Sequence, residues 1–223
     1  MVVTFITSSD VALCARVLNN KSLGKQRVEA KQILDVVLGT TTTKGWKSHP
    51  AALMWMGYGD ALKLYINAMI DEWISRGYKN TMTKYQVNNP IIWPWWFSWG
   101  DLHLSHKCSL LRKNPSHYEK IWQLEEDDLP FLKYGYIWIT HLSAEIVEKI
   151  QAGTLFNPEV ICDPIGTGAP AQYRWTREEV AKWMASPNVN PKTGKKINPD
   201  SKSGIAADLH KAKAYYQISE IGG

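Results

Sequence analysis

A chain of 223 residues with a 44% hydrophobic share can bury a sizeable core, as one large domain or one domain with an appendage. A formal net charge of +5 and a pI near 9.0 favour a polyanionic partner without requiring one. Three widely spaced cysteines, Cys14, Cys108 and Cys162, read as reduced thiols, since they fit neither a disulfide framework nor a zinc-finger spacing. No apolar run approaches the ~20 residues of a membrane span. The opening MVVTFITSSD has no basic or long apolar stretch of the signal-peptide kind, so the expected setting is inside a cell or inside a virion assembled there.

In chain order, residues 2–7 predict a short extended arm, and Asp10 predicts the N-cap of a helix over roughly 11–18. A second helix is expected to open at Ser22 and close at Gly39, with Leu23, Ala30, Leu34 and Val37 at helical spacing. A loop follows, then a helical stretch from Pro50 and a long amphipathic helix ending at Arg76-Gly77. NNPIIWPWWFSWGD concentrates Trp93, Trp95, Trp96 and Trp99 among prolines, either as a stacking surface for bases or as a core wall. A helix should run to Lys113, break at Asn114-Pro115 and resume briefly. DDLPFLKYGYIWIT reads as extended and HLSAEIVEKIQAG as one more helix. Residues 154–173 are expected to be a linker. A last unit should hold a helix capped by Thr176, a polar turn, and a helix over about 205–217.

The second helix carries the chemistry-bearing pattern. Lys25, Glu29 and Gln32 share one face, while Arg27 falls on the apolar stripe and needs a partner, either Glu29 or a ligand phosphate. A solvated Lys-Glu pair is the plainer alternative. His49 with Pro50 at a helix start can offer an imidazole and free N–H groups to a phosphate. His103, His106, Arg112, Lys113 and His117 line another segment, as a phosphate-contacting face or a solvated charged one. No carboxylate or cysteine pattern completes a metal site there.

LGKQRVE, then HPA, WxGY, RGY and SHxxxLLRKxPxHY stand in this order between about Phe5 and Trp138. Together they resemble a widespread family of short proteins that is itself similar to the pyrimidine-dimer DNA glycosylase/AP lyases of T-even phages. The resemblance implies a mainly α, compact domain with an extended N-terminal arm. It also implies double-stranded DNA as substrate and a nucleophilic amine on the mature N-terminal residue, with a glutamate beside it. Glu29 matches that glutamate. The amine would be that of Val2 once Met1 is removed, a step the small Val2 permits. Val28 and Ser22 stand where the phage family has arginine and histidine, so the resemblance carries over only the amine and Glu29. Lys25, Arg27, His49, His106, Arg112, Lys113 and His117 are the expected DNA contacts. No metal or organic cofactor is implied.

The segment WMASPNVNPKTGKKINPDSKSG resembles the NPxTG module of the two-cysteine adaptor domain, recurrent in proteins of large DNA viruses. The implied organisation is a glycosylase-like domain over 1–153, the linker, and a small helical module over 174–223 that tethers viral proteins or nucleic acid. Two functions compete on these residues: a glycosylase with AP-lyase activity on damaged or modified bases, and a non-catalytic DNA-binding or virion protein on the same scaffold.

Overall fold

Residues 2–7 are extended, and Asp10 then caps helix α1 (Val11–Arg16), its Oδ1 accepting the N–H groups of Ala12 at 2.8 Å and Leu13 at 3.3 Å. The computed structural model describes residues 2–41, 46–88, 90–123, 132, 134–155, 157–164, 175 and 177–216. The fold is mainly helical. It divides into two units, Met1–Pro164 and Ile165–Gly223.

In the first unit, α2 (Asn20–Val37) starts two residues earlier than Ser22. The reason is the Asn19 cap, whose Oδ1 accepts the Ser22 N–H at 2.8 Å. A single turn, α3 (Pro50–Leu53), precedes the long α4 (Gly59–Ser75). α2 packs on α4 through Leu23, Ala30, Ile33 and Leu34 against Leu62, Ile66, Met69 and Ile70, all fully buried. Burial of each such side chain contributes about 1.5–3 kcal/mol.

Arg76 does more than end α4. Its guanidinium donates to the carbonyls of Leu18 (2.7 Å) and Arg16 (2.9 Å) and to Asn20 Oδ1 (2.9 Å), with Glu72 holding Nε at 2.7 Å. It thereby satisfies the carbonyl end of α1, where a cation is also favoured by the helix dipole. Gly77 follows at φ +81°, a left-handed stop that suits glycine.

The Trp/Pro segment forms a 3-10 turn, Trp95–Ser98, and leads into α5 (Gly100–Lys113) and the short α6 (Pro115–Tyr118). Trp96 and Phe97 are buried, and Trp96 meets Trp55 edge-on at 4.9 Å, so this part of the segment is core wall. Trp93 stays 39% exposed against Phe97. β1 (Tyr134–Ile137) packs on α5 and pairs antiparallel with β2 (Cys162–Pro164), with a register shift between Tyr134 and Ile137. Between them lie α7 (Ala144–Gln151), capped by Ser143, and the turn α8 (Pro158–Ile161). Residues 157–164 of the expected linker thus belong to the first unit. Residues 165–174, Thr176 and most of the segment 124–133 lie outside the described residues.

The second unit packs α9 (Arg177–Ala185) on α10 (Gly204–Tyr216) around Trp175, Val180, Trp183, Leu209 and Ala212. The NPKTGKK stretch is a tight turn. Asn190 Oδ1 accepts the N–H groups of Lys192 and Thr193, and Asn190 N–H donates to the Lys195 carbonyl at 2.8 Å. Lys192 reaches over the Trp175 ring at 4.6 Å, and Lys195 and Lys196 are exposed.

Candidate active site

The arm is held by side chains instead of a neighbouring strand. An extended segment buried without strand partners must place its N–H and C=O groups elsewhere. Here Gln26 of α2, 1% exposed, takes two of them. Its Oε1 accepts from Phe5 N–H (2.9 Å) and from the Tyr65 hydroxyl (2.7 Å). Its Nε2 donates to the Val3 carbonyl (2.7 Å) and to Glu29 Oε2 (3.3 Å). Phe5 N–H can only donate and the Val3 carbonyl can only accept, so the amide orientation is fixed and all four bonding positions are used. Tyr65 also lies 3.1 Å from the Phe5 carbonyl, and burial pushes its phenol well above the usual range, so it is neutral.

Two further clamps complete the hold. His106 Nδ1 accepts the Ile6 N–H at 2.9 Å, and Trp55 Nε1 donates to Thr4 Oγ1 at 2.9 Å. Burial depresses the His106 pKa to about 3, so its ring is neutral and its proton sits on Nε2. Residues Val2–Ile6 are all buried. Met1 lies outside the described residues.

The clamp links Val3 of the arm to Glu29. One amide bridges the Val3 carbonyl and the Glu29 carboxylate, so arm and acid are a single hydrogen-bonded unit. Glu29 is buried to 7%, and Lys25 approaches its Oε1 at 3.2 Å from an exposed position. From α5, Lys113 extends along the surface and lays its ammonium over the Phe5 ring at 4.5 Å, with Tyr136 at 5.6 Å. Burial of that ammonium lowers its pKa to about 8; Lys25 and Arg112 push the same way and Glu29 opposes them. The ring series continues from Phe5 through Tyr136 and Trp138 to His49 and Trp46.

Of the expected DNA contacts, Lys25 and Lys113 stand around Glu29. Two are corrected by burial. His106 is 1% exposed and serves the arm. Arg112 is 6% exposed, donating to Ser109 Oγ at 2.7 Å and to the Leu132 carbonyl at 3.2 Å. α5 turns this face to the core and to β1. His117 donates to the Val17 carbonyl at 3.3 Å and meets Tyr118 edge-on. His49 uses Nδ1 to accept the Ala51 N–H at 3.1 Å, and burial holds its pKa below the ordinary value. That N–H is therefore already taken by the ring.

Arg27 does not pair with Glu29. Its guanidinium lies 4.0 Å over Trp73, which stacks on Tyr78 at 4.2 Å, and Nη1 donates to Asn80 Oδ1 at 3.1 Å. The same ring explains the glycine of LGKQRVE: a Cβ on Gly24 would lie 3.1 Å from Trp73. With Arg27 on one side and Tyr78 on the other, the indole has little room to give. Gly24→Leu should lower unfolding free energy by about 1–3 kcal/mol, measured by denaturant titration, while Gly24→Ala should cost much less.

Gln26, Tyr65 and Trp55 were not singled out from sequence. Gln26 did leave a signal: it lies at i+3 from Leu23 and i−4 from Ala30, on the apolar stripe itself. A polar residue there is either unsatisfied or clamps something.

Residues 2–86 match the family model described as pyrimidine dimer DNA glycosylase. The matched stretch contains the arm, Gln26, Glu29, Trp55, Tyr65 and Arg76, and stops short of His106 and Lys113. No curated protein and no solved structure matches the chain.

Proposed function

From the similarity of residues 2–86 to pyrimidine dimer DNA glycosylases, we propose that the first unit is a DNA glycosylase with associated AP-lyase activity. It acts on damaged or modified bases in duplex DNA, and the Val2 amine, freed by removal of Met1, is its nucleophile. The observation that carries this reading is the Gln26 bridge between the arm and Glu29. It ties an otherwise irregular chain start to a buried acid, a costly arrangement for packing alone.

An α-amine titrates near 7.7–8.0, so a useful neutral fraction exists at physiological pH. That amine attacks C1′ of the damaged nucleotide, the glycosidic bond breaks with its electrons on the base, and the opened sugar is held as an iminium. The Glu29 carboxylate stabilises the cation. It then takes the C2′ proton as the C3′–O bond breaks and the 3′ phosphate leaves. Lys25 supplies positive charge for the strand. The basic NPKTGKK turn of the second unit fits a tether to nucleic acid or a partner protein and takes no part in these steps.

Borohydride trapping on UV-irradiated or abasic duplex tests the reading. Protein beginning at Val2 should give a covalent adduct on the Val2 amine, and N-terminal acetylation should reduce the yield at least tenfold. The trapping rate should fall as pH drops below about 7.5, since protonation removes the nucleophile, approaching tenfold per unit. Absence of an adduct with every lesion, from protein of verified N-terminus, removes the lyase mechanism.

A further inference from the structure

We propose that the ε-amine of Lys113 is a second imine-forming nucleophile of the same site, able to take the open-chain aldehyde of an abasic deoxyribose. This deepens the glycosylase/lyase reading and rests on it for the substrate. Lys113 is the last residue of α5, beyond the segment that matches the glycosylase family.

Three observations converge on this residue. The first is position. Its Nζ covers the ring of Phe5, whose own N–H is bonded to the amide that binds Glu29. The amine thus sits on the arm three residues from Val2, on the side where the acid lies. The second is environment. The rings of Phe5 and Tyr136 cover the ammonium on their side, while the residue as a whole is exposed. No carboxylate hydrogen-bonds this lysine among the described residues, unlike Lys31, Lys63 and Lys149, which hold Asp35, Asp60 and Glu145.

The third is charge. Groups facing the amine are Glu29 and Lys25 from α2, Arg112 and neutral His106 from α5, and neutral Tyr136 from β1. Two cations and burial outweigh one carboxylate, leaving the amine at about 8. Near pH 8 about half of it is neutral, against well under one per cent for an ordinary lysine near 10.4. A desolvated lysine beside other cations is a recognised imine former.

The step balances without an added reagent. The neutral nitrogen adds to the C1′ aldehyde. The resulting hydroxyl gains a proton and leaves as water, and an iminium remains. Hydrolysis reverses it, or loss of the C2′ proton expels the 3′ phosphate as before.

The test uses the full chain in four forms: beginning at Val2, N-terminally acetylated, and each of these with Lys113→Arg. All are trapped with borohydride on duplex containing one abasic site, and adducts are located by peptide mass mapping. The acetylated protein should trap on the Lys113 peptide, with a rate rising about tenfold between pH 7 and 9. Lys113→Arg in that background should remove the remaining adduct at least tenfold. Arginine keeps a cation over Phe5, and an unchanged melting temperature shows that the fold is intact. The proposal is overturned if the acetylated protein yields no Lys113 adduct, or if Lys113→Arg leaves its yield unchanged. Adducts on Lys113 but never on Val2 would sink the N-terminal amine and leave this inference standing; the reverse pattern would do the opposite.

Discussion

Glu29→Gln is expected to lower single-turnover cleavage of lesion-containing duplex by about 10²–10⁴-fold while DNA affinity stays within a few-fold. The substitution is nearly isosteric and removes only the charge and the proton-accepting capacity. Little else should change. The Gln26 amide can still donate to the new side-chain oxygen in place of Glu29 Oε2. Lys25 loses its ion pair, but Lys25 is mostly exposed, and such pairs contribute about 0–1 kcal/mol. The melting temperature should therefore move by a few degrees at most. Both readouts are needed, because a buried carboxylate can be structural. A variant that keeps cleavage within tenfold of the parent would show that Glu29 only fastens Gln26. A variant that loses binding in step with cleavage would assign it to substrate affinity. Loss of turnover with intact binding and intact fold is the result that requires an acid in the chemistry.

The helical fold was legible in sequence wherever a cap or stop had a local cause. Asp10 caps α1, Gly77 ends the turn after α4, and Pro115 restarts the chain after Lys113. α2 began early because Asn19, a good cap in its own right, precedes Ser22, and only the fold decides between two adjacent caps. The site was legible in part. Arm and acid followed from motif order, but the residues that join them did not. Gln26, Trp55, Tyr65 and His106 lie 21, 51, 60 and 100 residues from the arm residues Phe5, Thr4, Phe5 and Ile6 that they bind, and tertiary burial alone brings them together. His106 and Arg112 looked like phosphate ligands because charge was read without burial. A histidine held near pKa 3 and an arginine spent on Ser109 and a backbone carbonyl are core residues. Arg27 was expected to meet Glu29 or a phosphate, and Glu29 is not what it meets. An indole face met the guanidinium instead, and the sequence offered Trp73 only as one more apolar position on α4.

Gln26→Leu should be the most destabilising single change in the first unit that leaves the apolar core volume nearly unaltered. Leucine fits the stripe between Leu23 and Ala30, so no cavity forms. What it removes is the partner of buried Phe5 N–H and the buried Val3 carbonyl, and one of two partners of the Tyr65 hydroxyl. Each buried group left without a bond costs about 1–3 kcal/mol. Two full losses and one partial loss sum to roughly 3–6 kcal/mol, a large fraction of the about 5–15 kcal/mol typical of a domain. Denaturant titration measures it directly, and amide hydrogen exchange should show Phe5 losing protection before α4 does. Gln26→Glu should fall between the two, since its oxygens still accept from Phe5 and Tyr65 but offer nothing to Val3 and repel Glu29. The ordering Gln, Glu, Leu in stability separates anchoring by hydrogen bonds from anchoring by apolar contact. If Leu costs less than about 1 kcal/mol, the arm is held by Val3, Phe5 and Ile6 alone. The bridge to Glu29 would then be incidental, and the placement of the Val2 amine would lose its physical cause.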